Sequence, residues 1–225
     1  MTEPSSGHIS VYKTNKAPVP EDGRLFSPVF ERNSPPMIAA LAPIFAGLTG
    51  TVVEIGSGTG QHAGAFQLAF PELVWQPSDL MAHHRASIEG WRSHLRLPPR
   101  PAWDLDAATD WAALPEVAAL DDLQAVVAMN VIHIAPVSVL HGIIDGAGKS
   151  LSAGGLLILY GPFREDGAFN SEGDKKFDAT LRAENPEWGL RDLKDVRDLA
   201  AKARFELAQR IEMPANNRIL VFSRL

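Results

Sequence analysis

The chain has 225 residues, a formal charge of −6 and no cysteine, so it is long enough for one domain with a sizeable core and has no thiol chemistry, disulfide or thiolate metal site. An acidic balance, with a sequence pI of ≈ 5.6, disfavours nucleic acid as a partner and favours small substrates. Seven histidines occur without a metal-ligand spacing, no apolar run approaches the roughly 18 residues of a membrane span, and residues 1–10 lack a signal-peptide core, which together predict a cytoplasmic protein without a metal.

Residues 1–27 are rich in Pro, Ser, Gly and charge, without periodicity. They read as an arm, either flexible or folding over a site in its later part, ahead of a single domain at residues 28–225. Ser34 followed by Pro35 and Pro36 predicts a helix N-cap with proline at the first helical positions, and Met37, Ile38, Leu41, Ile44, Phe45 and Leu48 continue at helical spacing towards Gly47–Gly50. Arg32 and Asn33 precede that helix in a polar cluster, placed either to reach a ligand or to cap the turn.

Thr51–Ile55 predicts a strand, followed by the turn Gly56-Ser57-Gly58-Thr59-Gly60 and a helix running from Gln61 and His62 to Phe70. Glycine at alternate positions permits positive φ and close approach of a ligand to the backbone, although a turn of this kind also serves packing alone. The dinucleotide pattern G-x-G-x-x-G requires glycine at 61, where the chain has Gln61. Leu73–Asp79 predicts a second strand ending in an acid, 25 residues beyond Glu54 and near the ~20-residue interval of an acid that binds ribose hydroxyls. A carboxylate matches a vicinal diol; Asp79 would equally serve as N-cap of the helix carrying His83, His84 and Ile88.

Arg100–Asp106 reads as a short edge strand, where proline is tolerated. Asp104 and Leu105 fall at its end, with Asp106 either sharing that position or capping a helix at Trp111–Leu114. Leu123–Ala128 is a central parallel strand by its continuous apolar run, and Asn130, Ile132 and His133 follow it, at the strand end where open α/β sheets hold ligands. A helix over Val137–Ile144 leads to a strand at Leu156–Tyr160, broken by Gly161-Pro162-Phe163-Arg164 at the same rim. Asp166–Pro186 is polar and long for a connection, with a short helix near Lys175–Arg182, and is a candidate lid. An amphipathic helix over Leu193–Ala203 and paired strands at Phe205–Glu212 and Arg218–Arg224 complete an α/β fold. It has seven strands in a mainly parallel sheet with one antiparallel strand and helices on both faces.

The pattern Glu54-x-Gly56-x-Gly58-x-Gly60-Gln61-His62 is the form typical of class I S-adenosylmethionine (SAM) methyltransferases. Together with Glu31-Arg32-Asn33, Trp75-Gln76-Pro77-Ser78-Asp79, Asn130-Val131-Ile132-His133-Ile134, Tyr160-Gly161-Pro162-Phe163, Phe169-Asn170-Ser171, Trp188-Gly189-Leu190-Arg191-Asp192 and Met213-Pro214-Ala215-Asn216-Asn217, it makes residues 32–225 resemble the methyltransferase-like protein 26 family. That family is SAM-dependent and methyltransferase-like, of unknown substrate, and was formerly a domain of unknown function. The resemblance implies the class I, Rossmann-like fold, SAM as cofactor with S-adenosylhomocysteine (SAH) as product, and an unidentified small acceptor. It assigns Arg32, Asn33, Glu54, Gly56, Ser57, Gly58, Gly60, His62, Asp79, Asp104, Leu105, Asn130 and Ile132 to the cofactor, and Arg164, Asn170, Asn216 and Asn217 to the acceptor. His133, with Tyr160 second, is the candidate base: an imidazole titrating near 6–7 at a strand mouth accepts a proton readily, or else it lines the pocket. No Asn-Pro-Pro-Tyr follows the fourth strand, which disfavours transfer to an amide or a base's exocyclic nitrogen. The competing readings are a SAM- or SAH-binding regulatory protein without transfer activity and a nicotinamide-dependent oxidoreductase, the latter weakened by Gln61.

Overall fold

Strands buried on both faces need helices above and below them, and the strands at the centre of this chain are of that kind. The computed structural model describes residues 20 and 22–225. Within them β1 (Gly50–Ile55), β2 (Leu73–Asp79), β3 (Trp103–Asp104), β4 (Leu123–Met129) and β5 (Leu156–Arg164) run parallel. They lie in one sheet of order β3-β2-β1-β4-β5-β8-β7. The hairpin of β7 (Phe205–Glu212) and β8 (Asn217–Arg224) closes one edge, with β8 antiparallel to β5.

Among the described residues, one strand more is present than the sequence predicts. β6, the dipeptide Arg191–Asp192, pairs with Phe163 and Arg164, and it does so because β5 does not break at Gly161-Pro162. The strand continues through Pro162, opposite Asn217 of β8, to Arg164.

Side-chain alternation sorts the sheet into two apolar layers. Val53, Ile55, Val126, Ala128, Leu157 and Leu159 share one with α5 (Val137–Ser150) and α7 (Leu193–Lys202). Val52, Ala125, Val127, Ile158 and Tyr160 share the other with α1 (Phe30–Phe45) and α2 (Gln61–Ala69). The first helix corrects an expectation: it starts at Phe30, so Ser34 is buried inside it and Pro35 and Pro36 lie in its second turn. Those prolines remove the intrahelical bonds to the Glu31 and Arg32 carbonyls. The helix start is held by the Asn33 amide, which donates to the Val29 carbonyl at 3.0 Å, and by packing, with Phe30 edge-on to His62 at 5.0 Å.

Two further helices border the sheet ends, α3 (Ala82–His94) after β2 and the single turn α4 (Pro115–Ala118) before β4. The chain leaves β1 for β2 and β3 and returns to β4 on the opposite side of β1, so the carboxyl ends of β1 and β4 diverge into a crevice. Of the expected arm, residues 1–19 and 21 lie outside the described residues. Its last part rests on α3: the Leu25 amide donates to Ser87 Oγ at 2.8 Å, Trp91 Nε1 donates to the Leu25 carbonyl at 2.8 Å, and the Arg24 guanidinium lies 4.7 Å from the Trp91 ring. No helix among the described residues is long and apolar enough to cross a membrane.

Candidate active site

The crevice at the switch point holds a cleft, about 690 Å³ with the open solvent at its mouth included, whose walls come from the ends of four parallel strands: Gly56 and Gly58 after β1, Asp79 and Leu80 in and after β2, Leu105 to Ala107 after β3, and Asn130 and Val131 after β4. Gly58 sits at φ 56°, in the left-handed region that favours glycine. Gly60 serves packing instead, since a Cβ there would stand 2.6 Å from Ile88 Cα and push α3 away.

Asp79 steadies the start of α3 without being its N-cap, which is Met81. Its Oδ1 accepts the Met81 amide at 2.9 Å, which holds the start of α3, and lies 3.0 Å from His84 Nδ1; its Oδ2 accepts the Gly58 amide at 2.8 Å. Three of about four acceptor positions on the carboxylate are thus taken, and one is left for a ligand.

Several residues assigned to the cofactor stand elsewhere. Asp104 points away from the cleft and is held bidentately by Arg85, both contacts at 3.0 Å. Asp106 lines the cleft in its place while accepting the Ala108 amide at 2.8 Å. Glu54 lies beneath the glycine turn, and the Ser57 side chain is directed down onto it. Glu54 Oε2 accepts Trp75 Nε1 and Ser57 Oγ, both at 3.0 Å, and burial pushes its carboxyl up to about 7 against the pull of those bonds. His62 is sandwiched by Phe30 and Phe66 with neither ring nitrogen partnered, and burial lowers it to about 4. Ile132 is buried in the apolar layer under α5, and Val131 faces the cleft instead.

A second cleft, about 1520 Å³ with the open solvent at its mouth included, opens beside the first, and Asn130 and Ile134 line both. Asn130 has φ 57° and donates its amide to the Tyr160 carbonyl at 2.8 Å, a left-handed non-glycine conformation of the sort that clusters at functional sites. Arg32 and Asn33 face this cleft from α1, His133 from beyond β4, and Asn216 and Asn217 from the turn between β7 and β8. The remaining wall is α6 (Glu172–Glu184). In this structure the polar segment expected as a lid is a formed side of the site.

His133 is 3% exposed, with Phe177 edge-on at 5.7 Å and Nδ1 unpartnered. Burial, helped by the Arg191 charge, lowers it to about 4, so the expected titration at 6–7 is absent and the ring is neutral at physiological pH. Tyr160 lies in the apolar layer under α1, outside both clefts, and burial raises its hydroxyl to about 12. Two acceptor candidates also fall away: Arg164 donates to the Leu190 carbonyl at 3.2 Å and lines a separate groove with Arg191, while Asn170 Nδ2 ties its loop to the Phe163 carbonyl at 2.7 Å. The sequence reading overlooked Asp174 and Phe177. The spacing Ser171-x-x-Asp174, a capping-box signature, was the signal that would have placed them at the start of α6.

The fold is that of class I methyltransferases. An O-methyltransferase family protein from Burkholderia thailandensis matches with a TM-score of 0.71 at 15% identity, over 85% of this chain and 56% of its own. PigF with SAH matches at 0.69 and 15%, over 87% and 57%. An O-methyltransferase of neocarzinostatin biosynthesis, NcsB1, in complex with SAM and 2-hydroxy-5-methyl naphthoic acid, matches at 0.66 and 17%, over 87% and 54%. The chain spans little more than half the length of these structures. Across nearly its whole sequence, residues 24–224, it matches a family described as a protein of unknown function, DUF938, and it belongs to that family.

Proposed function

We propose that the chain is a cytoplasmic SAM-dependent methyltransferase acting on a small-molecule acceptor, with residues 28–225 as one catalytic unit. The observation that carries this reading is the meeting of two clefts at Asn130: one floored by a glycine turn beside a strand-end carboxylate, the other large enough for a second molecule. NcsB1, of the same fold, holds SAM together with a naphthoic acid, which supports a two-ligand site.

The residues present fit the cofactor. Gly58 keeps the floor of the first cleft clear, Asp79 retains one acceptor position for a ribose hydroxyl, and Leu80, Leu105 and Ala107 give apolar walls for a purine, with Asp106 at their rim. Arg32 and Asn33, which line the second cleft together with Asn130, are the groups for the amino-acid end. When bound, SAM supplies an electrophilic methyl group on a sulfonium. The work left to this chain is to hold a nucleophile ~3 Å from that carbon and keep water out, and such placement is worth about 7–11 kcal/mol of barrier. His133, neutral and buried at the second cleft, orients the acceptor by a hydrogen bond.

Calorimetric titration with SAM, SAH and NAD tests the cofactor: SAH binding without NAD binding is expected, and the reverse would overturn it. Labelled SAM with fractionated metabolite extracts then tests transfer. SAH binding with no labelled product in any fraction would favour the regulatory alternative.

A further inference from the structure

Asp174 occupies the third position of α6, where its amide donates to Ser171 Oγ at 3.1 Å. In a complete capping box the side chain at this position returns a bond to the N-cap amide. Asp174 does not make that bond. One oxygen, Oδ1, meets Asn216 Nδ2 at 3.4 Å, and the other, Oδ2, has no partner although the residue is only 7% exposed. The carboxylate faces the second cleft. A buried carboxylate oxygen without a donor is costly, and a cation supplied by a ligand relieves that cost better than a neutral group.

Three further features of the same cleft agree. His133 Nδ1, on the facing wall, is also buried and unpartnered. Phe177, one helical turn beyond Asp174, is 40% exposed there, and an open aromatic ring favours a neighbouring cation. Ala215 at φ 59° and Asn216 at φ 57° form a strained turn, which holds the Asn216 amide against Ser171 at 2.9 Å and so fixes the carboxylate's orientation. The ionisable groups lining the cleft are Arg32, His133, Asp174 and Glu184. With Arg32 engaged by the cofactor and His133 neutral, the buried charge left facing an acceptor is that of Asp174.

We infer that the α6 wall centred on Asp174 and Phe177 is a recognition site for a protonated amine, so that the acceptor is a small organic cation carrying its N–H groups to Asp174 Oδ2. The inference rests on the methyltransferase reading for the identity of the bound molecule as acceptor.

The probes are phenethylamine, its uncharged counterpart 2-phenylethanol and its anionic counterpart 3-phenylpropanoate, titrated by ligand-observed NMR into the full chain with and without SAH. The ammonium compound is expected to bind about 10- to 100-fold tighter than either counterpart in the wild type, and Asp174→Asn to remove that preference while SAH affinity is kept. Equal binding of the three probes by the wild type, no binding of the ammonium, or an unaltered preference in a folded Asp174→Asn protein would each overturn the site. Loss of SAH binding in the wild type would instead count against the cofactor assignment alone, since the probes are also titrated without SAH.

Discussion

The two clefts share Asn130 but are finished to different degrees. At the first, Glu54, Ser57, Asp79 and His84 are all hydrogen-bonded within the protein. At the second, His133 Nδ1 and Asp174 Oδ2 have no partner. A polar floor already satisfied by the chain holds its shape before any ligand arrives, whereas buried groups left unsatisfied retain a penalty that only the right partner removes. Under the function proposed above, the contrast separates a site shaped for one fixed cofactor from one whose unpaired groups select the acceptor.

The sharpest way to break this contrast is to fill the finished cleft. Gly58→Val places a β-branched side chain at φ 56°, a backbone region costing such a residue on the order of 1–3 kcal/mol, within the space given to the ligand. SAH affinity is expected to fall by about 100-fold or more, a loss of roughly 3 kcal/mol, with the second cleft's response to phenethylamine retained. Unchanged SAH binding in calorimetry would put the cofactor elsewhere.

Next in size is a stability effect under the same turn. The Glu54 carboxyl rises from 4.5 to about 7 on folding because it is buried. The folded state therefore holds the proton more tightly than the unfolded chain, and stability is lost as pH climbs through that window, by about 3 kcal/mol in all. Glu54→Gln keeps an oxygen to accept Trp75 and Ser57 and removes the titration. Its melting temperature relative to wild type should improve between pH 5 and pH 8 by roughly 6–12 °C. A difference that stays constant with pH would mean Glu54 is ionised throughout.

Smaller again is Asp79→Asn. With three acceptor positions used internally, one charge-assisted bond remains for a ribose hydroxyl, worth about 1.5–3 kcal/mol or roughly 10- to 150-fold in SAH affinity. If Asp79 only anchors α3, calorimetry would show affinity intact while the melting temperature fell.

What was legible in the sequence divides along the same line. The first cleft is local: Gly56, Gly58 and Asp79 follow from a strand-turn-helix pattern and an acid at the next strand end, and the alternation of apolar runs gave the sheet. Asp104 was misplaced because a two-residue strand offers no periodicity from which to choose a face, and the pairing with Arg85 that turns it outward comes from α3. The second cleft brings together α1, the end of β4, α6 and the β7–β8 turn, segments whose meeting depends on tertiary packing. Arg164 and Asn170 had the right chemistry for a ligand, but main-chain carbonyls at Leu190 and Phe163 had claimed them.

The finest test of the comparison is His133, where burial alters what a substitution should do. Its ring moves from an ordinary 6.5 down to about 4 on folding. The unfolded chain therefore binds the proton more tightly, and the histidine contributes stability that is complete above pH 6.5 and lost towards pH 4, about 3 kcal/mol across the window. In His133→Asn that acid-side loss should shrink, as urea unfolding at pH 4.5 and 7 would report. The effect on transfer should be small, under about tenfold, because an imidazole with so low a pKa is a weak base near neutrality and an amide can replace its hydrogen bond. Single-turnover rates of both proteins should run parallel from pH 5.5 to 8. A wild-type rate that rose through 6–7 and lost this rise in the mutant would restore His133 as a base. It would also imply that the acceptor, on entering, raises the His133 pKa, as a bound anion would and a cation beside the ring would not.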